Sequence, residues 1–335
     1  MTILKSFCKG ESFVREVLFS GRWGTISPKS VEAQAAIAEF MERKHGLCLH
    51  SANAALEALL RSLDIGYGDE VVVASYGNAM DSMAVSCIGA KPVFCDIDYD
   101  RCTISVESVK ESITEKTKAV IVNSYAGDCG DLDELSRICK DNNMYLIENV
   151  GDEIVINKQP TATVMDIGAK SSLNTGVAGA LVTAIDDVYN AFYAYHNCGR
   201  SPFATDNLKV QDFVGGNMRI AEWQSSLVAF NIEKYEYKTE ETERLAKELE
   251  NESFKVMRVF HDRALFVYNG SNIDDYVTLL NKKGIKADKR FTAMHKEPFF
   301  KSDYFKKLTG SNGINDVDLP GVEKALSSFL WVYFD

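Results

Sequence analysis

Residues 66–98, GYGDEVVVASYGNAMDSMAVSCIGAKPVFCDID, decide the fold. The turn Gly66-Tyr67-Gly68-Asp69 opens an apolar run from Glu70 to Ala74, short enough for a buried strand. Met80 to Ile88 reads as a helix, Gly89 stops it, and Pro92 to Asp96 reads as a second strand. Two strands joined through a helix pair in parallel, because a parallel pair needs a long crossover.

The alternation continues on both sides. Ser30 to Lys44 and Ala54 to Leu63 are helices upstream. Downstream, Ala119 to Val122 and Tyr145 to Ile147 are short apolar strands flanking the helix Leu132 to Asp141, and Gly176 to Thr183 is a strand entered through glycines. The expected class is α/β, a mainly parallel mixed sheet with helices on both faces. After residue 231 the character changes. Ile232 to Asn251 (IEKYEYKTEETERLAKELEN) reads as one charged connecting helix. Strands over Phe254 to Phe260 and Arg263 to Tyr268 follow, then a helix over Asp274 to Lys283 and a last helix from about Pro320. The predicted division is a large α/β domain, 1–231, with the N-terminal helical segment included, and a smaller α+β domain, 232–335.

Hydrophobic residues make up 46% of the 335 and charged residues 25%, a balance that excludes a disordered chain. The net charge of −11 argues against nucleic acid as a partner, since phosphate backbones require clustered Lys and Arg. A single phosphorylated small molecule stays open, because a few backbone amides suffice to hold one phosphate. The eight cysteines are scattered without metal-site or disulfide-framework spacing, so no metal is expected. The opening MTILKSFCKG has no apolar signal region, and no apolar run reaches membrane-spanning length. The expectation is a cytoplasmic protein with reduced thiols and no membrane association.

Several short motifs occur in a telling order. They are Gly66-Tyr67-Gly68-Asp69-Glu70-Val71, Gly89-Ala90-Lys91-Pro92-Val93-Phe94 with Asp96-Ile97-Asp98, and Ile113-Thr114 with Lys116-Thr117-Lys118-Ala119-Val120-Ile121. Gly216-Asn217-Met218-Arg219 with Glu222-Trp223-Gln224, and Gly284-Ile285 with Met294-His295, complete the series. In this order, across nearly the whole chain, the sequence resembles the DegT/DnrJ/StrS family, the fold-type-I, vitamin-B6-dependent sugar aminotransferases. The resemblance implies pyridoxal 5′-phosphate or pyridoxamine 5′-phosphate as cofactor and a nucleotide-sugar-like ligand. It also implies an active site completed across a dimer.

Such chemistry needs a lysine for the Schiff base, a carboxylate on the ring nitrogen, a flat side chain against the ring, and a helix start for the phosphate. At the phosphate turn the family's Ser-Gly-Thr is here Ser51-Ala52-Asn53, which is either that turn or an ordinary helix cap. At the stacking position Asn78 stands where an aromatic is expected, with Tyr76 two residues earlier as a substitute. The family's Glu-Asp-Ala-Ala-Gln is Glu148-Asn149-Val150-Gly151-Asp152, so an amide stands where the ring-nitrogen carboxylate belongs and Asp152 is the nearest replacement. Ser171 stands five residues before Gly176, at the expected lysine position, and Lys170 stands six before it. Lys170 is thus either the Schiff-base residue or a surface lysine, and Ser171 matches a phosphate-binding serine. Asn217 and Arg219 match positions that reach toward a partner's site, and His295 matches the substrate side. His196 and Arg200 resemble a further turn of the family.

These departures favour a degenerate member, or one of altered chemistry, in sugar-nucleotide or amino-sugar biosynthesis. An active aminotransferase using Lys170 is one alternative. A lysine-independent enzyme with histidine in the lysine's place is poorly matched, because no histidine lies between His50 and His196. A non-catalytic binding or regulatory subunit, pairing with an identical chain or an active paralogue, is the other. The apolar run Trp223 to Phe230 is the expected association surface.

Overall fold

A computed structural model describes residues 2–23, 27–77, 79–124, 127–151, 153–169, 171–201, 214–235 and 240–334, with 2–9 described by their backbone alone. The chain begins with α1 (Thr2–Ser20), α2 (Pro28–Phe40), β1 (His45–Leu49), α3 (Ala52–Ser62), β2 (Glu70–Ala74), β3 (Tyr76–Gly77), α4 (Met80–Cys87) and β4 (Lys91–Cys95). It continues through β5 (Ile97–Asp98), β6 (Thr103–Ile104), α5 (Val106–Ser112), β7 (Thr117–Asn123), α6 (Leu132–Asp141), β8 (Tyr145–Val150), β9 (Ala162–Asp166), β10 (Gly179–Thr183), α7 (Asp186–His196) and α8 (Glu222–Glu233). The last part holds α9 (Glu240–Glu248), β11 (Phe254–Val259), β12 (Arg263–Tyr268), α10 (Ile273–Lys282), β13 (Ala287–Asp288), β14 (Thr292–Ala293), α11 (Asp303–Thr309), α12 (Pro320–Ser328) and β15 (Phe329–Tyr333).

Seven strands form the main sheet in the order β1-β10-β9-β8-β7-β2-β4. The five from β9 to β4 are parallel; β10 runs against them, and the edge strand β1, antiparallel to β10, runs in their direction again. Both faces are covered, which is why β2, β7 and β8 read as continuous apolar runs. Val71, Val73, Ile121, Ile147 and Val164 pack beneath α3 and α4. Val72, Val120, Val122 and Leu146 pack on the other face against Val109 of α5 and Leu135 and Ile138 of α6. A second sheet, β11-β12-β15-β13, is built from the last part of the chain.

Three sequence expectations change. Ile232 to Asn251 is not one helix: α8 ends at a Lys234 cap and α9 starts at Glu240. No glycine or proline in the sequence marks that break. The apolar face of α8 is not free for a partner chain either. Leu227, Val228 and Phe230 are buried within the chain, and Phe230 meets Phe13 of α1 at 5.1 Å between ring centroids. Strand β10 also begins at Gly179, three residues past the predicted start.

The two sheets are tied by a shared aromatic cluster of Tyr76, Phe260, Phe291, Phe329 and Trp331. β14 pairs with β3, and Asp96 accepts the amides of Gly321 and Val322, both at 2.8 Å, at the start of α12. No helix among the described residues is long and apolar enough to cross a membrane.

Candidate functional site

In a sheet of this kind ligands bind outside the carboxyl ends of the parallel strands. Here those ends carry polar residues on the face covered by α3 and α4. Strand periodicity puts Asn123 on the same face as Ile121, and Asn149 on the same face as Ile147. The two asparagines are register partners across β7 and β8. Above them sits Asp81, in the first turn of α4 and almost wholly buried. Its Oδ1 accepts from Asn149 Nδ2 at 2.5 Å, and its Oδ2 from Asn123 Nδ2 at 2.7 Å. An ionised carboxylate only accepts hydrogen bonds, so it fixes which end of each amide faces it. The oxygens are turned away: Asn149 Oδ1 and Asn123 Oδ1 are buried and without a hydrogen-bond partner, as is Ser124 Oγ at the end of β7. Three open polar atoms clustered at two neighbouring strand ends form a site with unspent hydrogen-bonding capacity.

Glu148 points to the opposite face and does structural work. It accepts from Cys129 Sγ at 3.1 Å, Asn157 Nδ2 at 2.5 Å and Thr163 Oγ1 at 2.8 Å. Burial raises its carboxyl above the ordinary value, and those three hydrogen bonds with the Arg43 charge pull it partly back.

At the start of α3, Ser51 is the N-cap, its hydroxyl accepting from the Ala54 amide at 3.1 Å. The amides of Ala52 and Asn53 have no carbonyl within the helix to bond. Strand β10 passes close by: a Cβ on Gly179 would lie 2.3 Å from the Ala52 nitrogen, so only glycine permits that approach. Ser171 lies in the turn after β9, buried, its hydroxyl accepting from Leu173 N at 3.2 Å.

Tyr76 is set in the aromatic cluster between the sheets, edge-on to Phe291 and Phe329 at 5.4 and 5.7 Å. His295 is buried against the same segment, its Nδ1 2.6 Å from Ser75 Oγ. Burial, with the charge of Lys296, lowers its imidazole below the ordinary value. Asn217 is exposed, and Arg219 bonds Asn197 Oδ1 while its own Nε stays buried and unpaired. Both lie on a stretch that bridges Asn197 and Leu49, next to the chain's entry into α3. Lys170, Asn78 and Asp152 lie outside the described residues. No group of three or more metal-ligating side chains occurs among the described residues.

Sequence reasoning named Asn149 but missed Asp81, Asn123 and Ser124. One signal was available. Asp81 shares the i, i+3, i+4, i+7 stripe with Ala84, Val85 and Ile88, a carboxylate on an otherwise apolar helix face.

Comparison with known proteins places these observations. Residues 9–316 match the model of the DegT/DnrJ/EryC1/StrS aminotransferase family. An uncharacterized protein of Methanocaldococcus jannaschii is 26% identical over 362 residues, covering 97% of this chain and 89% of that one. Among solved structures, Helicobacter pylori PseC, an aminotransferase of pseudaminic acid biosynthesis, superimposes with a TM-score of 0.82 at 20% identity, covering 97% of this chain and 90% of that one. NtdA from Bacillus subtilis, with bound pyridoxamine phosphate, gives 0.82 at 18% identity over 98% of this chain and 78% of its own. The fold is the fold-type-I aminotransferase fold.

Proposed function

The chain belongs to the DegT/DnrJ/EryC1/StrS aminotransferase family, and on that premise we propose that it is a cytoplasmic aminotransferase-like protein that binds pyridoxal or pyridoxamine 5′-phosphate at the carboxyl ends of β7 and β8. The ligand class is a keto or amino sugar carried on a nucleotide. The supporting observation is Asn149 Oδ1, a fully buried acceptor with no hydrogen-bond partner, at the strand end where the cofactor's ring nitrogen requires one. When bound, this cofactor supplies the electron sink that lets a substrate C–H bond ionise.

The chain's own residues divide the remaining work. Asn149 accepts at the ring nitrogen. The free amides of Ala52 and Asn53, with the hydroxyls of Ser51 and Ser171, hold the phosphate at the positive end of α3. Lys170 takes the nucleophile and proton-carrier role. Asn217 and Arg219 serve the site of a second copy, with exposed Trp223 at that surface. The same purified sample should scatter light as a dimer, and a monomer at micromolar concentration would remove that part of the reading.

The test is direct. Pyridoxal phosphate is added to the purified protein, borohydride follows, and the mass and modified peptide are read. A phosphopyridoxyl mass on Lys170, absent from Lys170→Ala, is expected. Pyridoxamine phosphate binding without any adduct would point to lysine-independent chemistry. Neither binding nor adduct would leave a non-catalytic subunit, the reading favoured if the Asn149 position has lost its role.

A further inference from the structure

The family resemblance places a carboxylate at position 149, yet this chain has an amide there. A carboxylate is nonetheless present one side chain away. Asp81 is 4% exposed and holds Asn149 at 2.5 Å and Asn123 at 2.7 Å. We propose that Asp81 has taken over the ring-nitrogen carboxylate's electrostatic role in this chain, acting through Asn149 as a positioning residue for a bound pyridoxamine or pyridoxal phosphate. The inference rests on the cofactor reading above.

The physical argument has two steps. First, Asp81 ties down Asn149 Nδ2, so the amide cannot turn its donor outward. The free end is Oδ1, an acceptor, and it matches a ring nitrogen that carries its proton. An untied asparagine would serve a protonated or an unprotonated ring equally well. Second, the Asp81 charge lies one amide from that proton, in a buried setting where screening is weak. Polarisation along carboxylate, amide and ring N–H makes the amide oxygen a better acceptor. Asn123 contributes a second donor to the carboxylate, so Asp81 stays satisfied without turning toward the ring.

The experiment uses pyridoxamine phosphate labelled with 15N in the ring, bound to the full-length protein, because its binding needs no lysine. Ring-nitrogen chemical shift and dissociation constant are measured for wild type, Asp81→Asn, and the double variant Asp81→Asn, Asn149→Asp. The wild-type signal is expected at the protonated position at neutral pH. Asp81→Asn should move it toward the unprotonated position and weaken binding about tenfold, the scale of one charge-assisted hydrogen bond. The double variant returns the carboxylate to the strand end and should restore both. A ring that stays protonated in Asp81→Asn, or a double variant that fails to restore the signal while remaining folded, overturns the proposal. If Asp81→Asn does not fold, Asn149→Leu, which keeps Asp81 but removes the amide between it and the ring, takes its place: the ring signal should move toward the unprotonated position, and a ring that stays protonated overturns the proposal. Wild type that binds no pyridoxamine phosphate overturns the cofactor reading and this inference with it, whereas binding with an unprotonated ring overturns only the inference.

Discussion

His196 shows how much one buried side chain commits the fold to a pH range. Its Nδ1 donates to the Tyr193 carbonyl at 2.5 Å, and the ring stacks parallel to Phe192. Burial, aided by the nearby Arg219 charge, pushes its imidazole from 6.5 down to about 4. The sign follows directly. Between those values the unfolded chain holds a proton on this histidine and the folded chain does not, so stability falls as pH drops through the window and levels off below it. Full linkage would be worth about 3 kcal/mol. Urea unfolding of wild type and His196→Gln, from about pH 7 to pH 4, should show the wild type's advantage shrinking by up to that amount. A difference that stays constant with pH would mean that the imidazole titrates normally in the fold. The residue scale is also where the sequence was least legible. Asn149 was identifiable as a departure from the family pattern. Its relation to Asp81 depends on the first turn of α4 reaching the ends of β7 and β8, which no spacing along the chain reveals.

Secondary-structure elements were more legible, because their signals are local. The strand–helix–strand run from Glu70 to Cys95 appears as read, since glycine turns and apolar periodicity act within a few residues. The stretch Ile232 to Asn251 differs for the opposite reason: its composition favours helix throughout, and no local residue signal marks the end of α8, which packs on α1 and α2. Between these cases lies Asp96. Its place in the Asp96-Ile97-Asp98 motif is visible in the sequence, but its use as a cap for a helix far along the chain is not. Leu319, the residue at the N-cap of α12, gives no side-chain hydrogen bond, and Asp96 supplies both bonds instead. A Cβ on Gly321 would come within 2.4 Å of the Ile97 carbonyl, so this contact also requires glycine. Asp96→Ala should therefore cost about 1–2 kcal/mol, as loss of a helix cap does, and Asp96→Asn less, because one acceptor remains. Denaturant midpoints of the two variants provide the check. Equal and negligible losses would show that water replaces the carboxylate at no cost.

At the scale of the molecule, the sequence suggests two domains divided near residue 232, but the contacts between them predict that they unfold together. The cluster around Trp331 draws Tyr76, Ile97 and Cys102 from one side of that division and Phe260, Phe291 and Phe329 from the other. Asp128 adds a polar tie. It accepts from Arg101 Nε and Nη2 at 3.0 and 2.7 Å and from Arg258 Nη2 on β11 at 2.8 Å. Burial raises the Asp128 carboxyl, but the Arg101 hydrogen bond, the Gly130 amide and the Arg258 charge outweigh it and hold it below the ordinary value. Its contribution is therefore present above the ordinary carboxylate range and lost as pH falls through the depressed folded value. Asp128→Asn should cost about 1–2 kcal/mol, because both arginines remain partly hydrated. The informative result is which signals move. Trp331 is fully buried, whereas Trp23 is largely open to solvent and Trp223 partly so, and a Trp23→Phe, Trp223→Phe background leaves one tryptophan reporting on the second sheet. In that background, Trp331 fluorescence and far-ultraviolet dichroism should give one coincident transition, and Asp128→Asn should shift both equally. A fluorescence transition that moves alone would mean the second sheet unfolds as its own unit, and the strand-end site would then keep its shape without it.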